Sequence, residues 1–112
     1  MELKLSISGK HETERIISLM LLGLLTAMEK GTLSIEEAEG YLFNPYSFEH
    51  LEQLGLDDRV VDIVKLGCEL EDVESLIPDK LQSTIQDLKE RALSTLESLP
   101  KPTLPTEKLI KK

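Results

Sequence analysis

The chain has 112 residues, 40% of them hydrophobic and 30% charged, a balance typical of one soluble globular domain. With 13 basic and 21 acidic residues, its formal net charge of −8 argues against binding to nucleic acid or to an anionic membrane, because both need clustered lysine and arginine. The single cysteine, Cys68, excludes an internal disulfide and fits a reducing cytoplasm.

The first predicted element is a short strand at the N-terminus. Leu3, Leu5 and Ile7 alternate with polar residues up to Gly9, and a period of two residues predicts a half-buried strand. No second strong strand pattern follows. We therefore expect this strand either to pair with its own copy in a dimer or to lie extended against helices.

The most apolar run, residues 16–28, lies in the first predicted helix, which extends from Thr13 as its N-cap to about Lys30. Apolar residues cover almost every face of this helix, which predicts the buried centre of a bundle. The run is shorter than the roughly 20 residues that span a bilayer. Gly23, in its middle, lowers helix propensity and allows close crossing by another helix.

Two short helices are predicted next. Ser34 begins a capping box, which predicts a helix over residues 35–43. The Asn-Pro dipeptide that follows stops this helix. Ser47 is the predicted cap of a second short helix, which ends at Gly55.

Two longer helices complete the predicted bundle. Asp57 caps a helix over residues 58–76, and the last helix covers residues 80–99 with apolar residues at spacings of three and four. Prolines that follow argue against further regular structure. The sequence thus predicts a mainly α fold, a compact bundle of about five helices, two of them short, with one short N-terminal β-strand.

The predicted domain organisation separates this bundle from the C-terminus. Residues 1–100 form a single helical domain, and residues 101–112 form a flexible tail that contains proline and lysine. The tail carries a positive charge, so it could also lie on the acidic body.

No residue pattern predicts catalysis or a metal site. His11 begins a sequence like that of zinc proteases, but Arg15 stands where the second histidine belongs. Cys68 lies on the apolar face of a predicted helix, as an inert core thiol does. The acidic residues near Asp57 do not follow calcium-loop spacing. We expect no catalytic, cofactor-binding or metal-binding residues.

An acidic helix is the first feature that favours a protein partner. Four of its carboxylates fall near one line of the predicted helix, namely Asp58, Asp62, Glu69 and Asp72. Clustered like charges repel one another, and a basic partner would relieve that repulsion. The alternative is a solvated surface that tolerates the charge.

A group of aromatic residues is the second such feature. All four aromatic residues of the chain lie within eight positions, namely Tyr41, Phe43, Tyr46 and Phe48. Aromatic side chains are enriched at interface hot spots. We expect the two phenylalanines to plug the core and the two tyrosines to be the exposed members of a partner-binding turn.

Five stretches of the sequence also carry a family resemblance: residues 17–25, 33–39, 43–46, 66–72 and 76–78. In them the chain resembles a family of small acidic bacterial proteins of unknown function. The resemblance covers about residues 1–99, and it implies a bacterial, cytoplasmic setting without implying an activity. Cys68 stands where the resemblance leads us to expect a threonine or a similar residue.

The function predicted from these features is non-enzymatic protein–protein interaction, or an adaptor role, in an unknown pathway. A basic partner would bind through the acidic helix and the aromatic turn. Two alternatives stay open: an immunity-type inhibitor of a basic effector, and a small carboxylate- or metal-dependent enzyme. We also expect a homodimer in the cytoplasm that binds neither nucleic acid nor membrane.

Overall fold

A computed structural model describes residues 1–111, most of which are helical. The helices are α1 (Lys10–Glu29), α2 (Ile35–Tyr41), α3 (Pro45–Gln53), α4 (Asp58–Cys68), α5 (Leu70–Leu76) and α6 (Leu81–Ser98), with a 3-10 turn at Pro78–Lys80. The strands β1 (Lys4–Leu5) and β2 (Ile110–Lys111) lie at the two ends. The mainly helical fold is confirmed, but the helix number is not: four helices have nine or more residues and two have seven.

The core lies where α1 packs along α6 and where α4 covers both helices. Buried residues of α1 form one face, at positions 14, 17, 18, 21, 25 and 28. On the opposite side, Leu19 is 50% exposed and Met20 is 43% exposed. The prediction that α1 is buried on almost every face is therefore wrong, because neighbouring helices cover only one side of it.

The N-cap of α1 lies four residues before the predicted position, Thr13. Gly9 is the N-cap, with a φ of 91° that favours glycine, and the helix begins at Lys10. Thr13 lies in the first turn, where its hydroxyl donates to the Gly9 carbonyl oxygen at 2.7 Å. The Thr13 side chain thus bonds back to the cap residue instead of being the cap itself.

Side-chain caps fix the starts of the next two helices. Ser34 caps α2 as predicted, since its Oγ accepts from the Glu37 backbone N–H at 3.0 Å. At α3 the cap is Asn44 and not Ser47: Asn44 Oδ1 accepts from the Ser47 backbone N–H at 2.8 Å. Pro45 is then the first residue of α3, a position where its missing N–H costs nothing.

The helix predicted over residues 58–76 is two helices. Asp57 caps α4 as expected, with its side chain accepting from the Arg59 backbone N–H. The chain turns at Glu69, and Leu70, the first residue of α5, is completely buried. Gly67 and Cys68, just before the turn, are weak helix formers, which favours a break at this point.

The N-terminal strand pairs with the C-terminal end of the same chain. β1 and β2 are antiparallel, with Lys4 opposite Lys111 and Leu5 opposite Ile110. The prolines end α6, but β2 lies beyond them, where backbone N–H groups are again available for pairing. A second copy or a helix is therefore not needed to pair with β1, and regular structure does follow the prolines.

Both strands are exposed, so the predicted half-buried strand is also wrong. Leu3 and Leu5 are 66% and 52% exposed, and only Ile7 is partly covered. Within residues 1–111, no helix combines the length and the apolarity that a membrane crossing requires. The flexibility of the tail stays a prediction, and Lys112 lies outside the described residues.

Candidate interaction surface

A buried phenylalanine anchors the turn between α2 and α3 to the core. Phe43 is 2% exposed, and its ring lies directly against Gly67 of α4. The backbone N–H groups of Leu42 and Phe43 both donate to the Ala38 carbonyl oxygen at 3.0 Å. These contacts hold the turn in place, and they remove Phe43 from the surface that a partner could touch.

The two tyrosines point outwards from the same turn. Tyr41 is 64% exposed and Tyr46 is 80% exposed. The Tyr46 ring stacks on His50 with a centroid separation of 6.2 Å. The Tyr41 hydroxyl donates to Glu37 Oε2 at 3.0 Å, and this hydrogen bond raises the pKa of Tyr41. The predicted split is confirmed, with exposed tyrosines, a buried Phe43 and a partly buried Phe48 packed against the core.

Helices α2 and α5 enclose a cleft lined by carboxylates. The lining residues are Ile35, Glu36, Glu39, Glu71 and Glu74. We call this the acidic cleft. Partial desolvation is the largest cause that raises the pKa of Glu39, followed by its hydrogen bond with Glu71 and by the charges of Glu71 and Glu36. Among the residues that the structure describes, no lysine or arginine lines this cleft.

The predicted acidic line is divided between two other surfaces. Asp62 lines a groove between α4 and α6, and we call it the α4–α6 groove. Arg59 and Arg91 line the same groove, and Arg91 pairs with Asp87 at 3.0 Å. The basic side chains therefore balance much of the acidic charge there. Asp58 is exposed in the first turn of α4.

The other two predicted acids lie beside an apolar strip on α5. Glu69 and Asp72 flank Leu76 and Ile77, which are 77% and 53% exposed. Because the helix breaks at Glu69, these acids do not continue the line of α4. The prediction of one acidic face is therefore wrong, for the reason that it assumed an unbroken helix.

Sequence reasoning missed the four glutamates of the acidic cleft as a group. A local signal is present, because Glu36 and Glu39 are three residues apart on α2, as are Glu71 and Glu74 on α5. The packing of α2 against α5 is a tertiary contact between segments more than 30 residues apart in sequence, and no local pattern encodes it.

Metal-ligating clusters and the single cysteine are the remaining candidate groups. No group of three His, Cys, Asp or Glu side chains in residues 1–111 is arranged to hold a metal ion. Burial is the largest cause that raises the pKa of the Cys68 thiol, and the charges of Glu39 and Glu69 add to it. A raised thiol pKa lowers the thiolate fraction, which is the nucleophilic form.

The fold and these surfaces define a small helical protein with an acidic cleft and, separately, two exposed tyrosines, an architecture that does not by itself specify an activity. Residues 8–111 match the model of a protein family of unknown function, DUF3969, and the chain belongs to this family. No curated protein matches the chain, and no solved structure does. The expected membership of an uncharacterised family is confirmed.

Proposed function

We propose that this protein is a non-enzymatic interaction protein that binds a basic segment of a partner protein at the acidic cleft, with the exposed tyrosines of the α2–α3 turn as further contacts. The observation that supports the proposal most directly is the convergence of four glutamates on a cleft that no described lysine or arginine lines. Partial desolvation is the largest cause of the raised pKa of Glu39, and the charges of Glu71 and Glu36 add to it, so holding these carboxylates together has a cost. A lysine or arginine from a partner would offset that cost.

The tyrosines add a second means of recognising a basic side chain. Tyr41 and Glu39 are two residues apart on α2, so their side chains leave the helix on nearly opposite sides, and the Tyr41 ring offers a cation a separate contact beside Glu37. Cations are attracted to the faces of such rings. Tyr46 extends the aromatic surface on the other side of the turn and is almost fully available for contact.

The chain segment that contains α2 and α3 is acidic throughout. Residues 31–58 contain no lysine or arginine. Their acidic residues are Glu36, Glu37, Glu39, Glu49, Glu52, Asp57 and Asp58. The negative electrostatic potential of these residues accelerates association with a basic protein and disfavours association with an acidic protein. The α4–α6 groove is a weaker candidate, because Arg59 and Arg91 are part of it.

The proposal is tested by removing charge from the acidic cleft. Immobilised protein captures partners from a native lysate at low salt, and the affinity of a purified partner is then measured. The double variant Glu39→Gln/Glu71→Gln should weaken binding by about tenfold or more, as loss of close charge pairs does. The control Glu90→Gln/Glu97→Gln, with the same change in net charge on α6, should leave binding nearly unchanged.

The tyrosines give a test that does not alter net charge. Tyr46→Ala should weaken the same complex while the melting temperature stays close to that of the wild type, because the side chain is 80% exposed. A partner that binds the cleft variant, the Tyr46 variant and the wild type equally well would refute the proposed surface.

We also propose a bacterial, cytoplasmic setting for this interaction. The single cysteine and the raised pKa of its thiol suit a protein that does not depend on oxidation. Fractionation of the source cell should place the protein with cytoplasmic markers. Recovery with secreted or envelope proteins would contradict this part of the proposal.

A further inference from the structure

The outer face of α1 has a composition that the folded monomer does not explain. No charged residue occurs between Arg15 and Glu29. On this face Leu19 is 50% exposed and Met20 is 43% exposed. A helix face exposed to water is normally polar, so an uncharged apolar face of this length is typical of a contact surface.

Gly23 lies at the centre of this face. Its φ is not positive. Apart from its chain neighbours and the nearby backbone of α1, no atom of the described residues lies within 4 Å of the point where a Cβ would be. Neither backbone conformation nor packing within the monomer therefore requires glycine. Glycine in a helix interior costs stability relative to alanine. Close approach of another helix is a use that would offset this cost.

The outward residues of α1 form a single stripe with spacings of four and three. They are Glu12, Ile16, Leu19, Gly23, Thr26 and Lys30, and each is exposed or partly exposed. Alternating spacings of four and three mark the seam of a helix pair. The stripe extends over about 27 Å of helix axis. Its ends carry opposite charges, and its interior is uncharged.

We propose that the protein forms a two-fold symmetric dimer in which the outer faces of α1 pack antiparallel, with the axis at the level of Leu21. Glu12 and Lys30 are each nine residues from Leu21, so each Glu12 lies opposite the partner's Lys30. Leu19 lies opposite the partner's Gly23 and fills the space that the absent side chain leaves. A symmetric interface needs such a self-complementary patch.

The charges and the sizes of these residues select the antiparallel arrangement. In a parallel pair Glu12 would face Glu12 and Lys30 would face Lys30. The facing Leu19 side chains would hold the helices apart and leave a gap between the two Gly23 residues. Glu12 and Lys30 have no ion-pair partner in residues 1–111, so both are available to a second copy. The dimer leaves α2 and α5 free, and it would thus present two acidic clefts to a partner.

The central test is Gly23→Ala, followed by sedimentation velocity over a range of protein concentrations and by thermal melting at a concentration where the protein is monomeric. The added methyl group should raise the melting temperature of the monomer, because alanine favours helix. It should weaken the dimer by about tenfold or more, because it occupies the space for Leu19 on both sides of the axis. A purely structural role for Gly23 could not produce these opposite effects.

The proposed ion pairs between Glu12 and the partner's Lys30 are tested by exchanging the charges of these two residues. Glu12→Lys and Lys30→Glu should each weaken the dimer, and the double variant should restore it, because the pairs form again with reversed sign. Glu12→Lys makes the chain less acidic, so an effect of net charge alone would strengthen the dimer. Lys65→Glu on α4 has the same change in charge as Lys30→Glu and should have little effect.

Three results would overturn the proposal: a monomer at every concentration, a dimer that Gly23→Ala does not weaken, or a double charge exchange that fails to restore association. The first of these leaves the proposed function intact, because a monomer can still bind a basic partner at its acidic cleft. Loss of partner binding with an intact dimer would conversely refute only the proposed function.

Discussion

At the scale of single residues, the contact between Phe43 and Gly67 fixes the turn that exposes the tyrosines. A Cβ on Gly67 would overlap the Phe43 ring, which lies in the core and has no room to move away. The absence of a side chain at residue 67 is therefore a requirement of the packing between α4 and the turn. This close approach makes Gly67 part of the structural basis of the interaction surface.

Gly67→Ala should consequently lower the free energy of unfolding by about 1–3 kcal/mol, the usual cost of overpacking. The matched control is Gly40→Ala in α2, where nothing lies within 4 Å of the added Cβ. The control should gain up to about 1 kcal/mol from helix propensity. Urea unfolding measures both, and a stability gain at Gly67 would contradict the packing described for Phe43.

Asp57 gives a prediction about pH. Its Oδ2 accepts a hydrogen bond from Arg59 Nη2 at 2.9 Å. Hydrogen bonding by the Arg59 side chain is the largest cause that lowers the pKa of Asp57 from 3.8 to about 2. A carboxyl group with a lowered pKa in the folded state contributes stability above its ordinary pKa. That contribution is lost as the pH falls through the folded-state value.

The stability difference between wild type and Asp57→Asn should therefore shrink as the pH falls from about 4 to about 2. Asparagine still accepts the capping hydrogen bond, so the variant removes the charge and retains the cap. Urea unfolding at a series of pH values measures this difference. In an Arg59→Gln background the same substitution should show little pH dependence, and an undiminished dependence there would contradict the assigned cause.

At the scale of elements, the two-stranded sheet is the weakest part of the fold. Each strand has two residues and both are exposed, and one further hydrogen bond joins the Ser6 N–H to the Leu109 carbonyl oxygen at 2.9 Å. Two strands without a buried face have little stability of their own. We therefore expect the C-terminal segment to detach and rebind readily while the helices stay folded.

Deletion of residues 108–112 should change the urea midpoint far less than Gly67→Ala does, and amides of residues 4–6 should exchange quickly in the full chain. Hydrogen exchange followed by mass spectrometry or NMR measures the second expectation. A loss of stability as large as that of Gly67→Ala would show that the segment is an integral part of the fold.

Local signals account for the elements that the sequence predicts correctly. Ser34 and Asp57 start helices because their side chains accept backbone hydrogen bonds a few residues away, and such contacts are legible in sequence. Asn44 was assigned to the end of α2 because an Asn-Pro pair can also stop a helix. Its actual role, capping α3, depends on where the chain goes next.

Elements that meet only in three dimensions could not be predicted in this way. The pairing of β1 with β2 joins opposite ends of the chain, and only β1 has an alternating pattern that sequence alone reveals. The acidic cleft likewise exists only because α2 packs against α5. The aromatic half of the candidate site is predictable from residue type, because phenylalanine is wholly apolar whereas tyrosine carries a polar hydroxyl group.

At the scale of the whole molecule, charge is unevenly distributed, and this uneven distribution carries the functional proposal. Arginine side chains balance the acids of the α4–α6 groove, whereas the described residues provide no such balance in the acidic cleft. A net charge of −8 alone would attract basic molecules to the protein without specifying a place. The proposed function requires that a basic partner bind at one defined site, and the acidic cleft is that site.

The most direct test of this claim is an NMR titration of the isotope-labelled protein with a short arginine- and lysine-rich peptide, read residue by residue. The account predicts that backbone shifts concentrate on α2 and α5, around Glu36, Glu39, Glu71 and Glu74, together with Tyr41, and that salt reverses them. Shifts centred on the α4–α6 groove, spread evenly over the acidic surface, or absent altogether would contradict it.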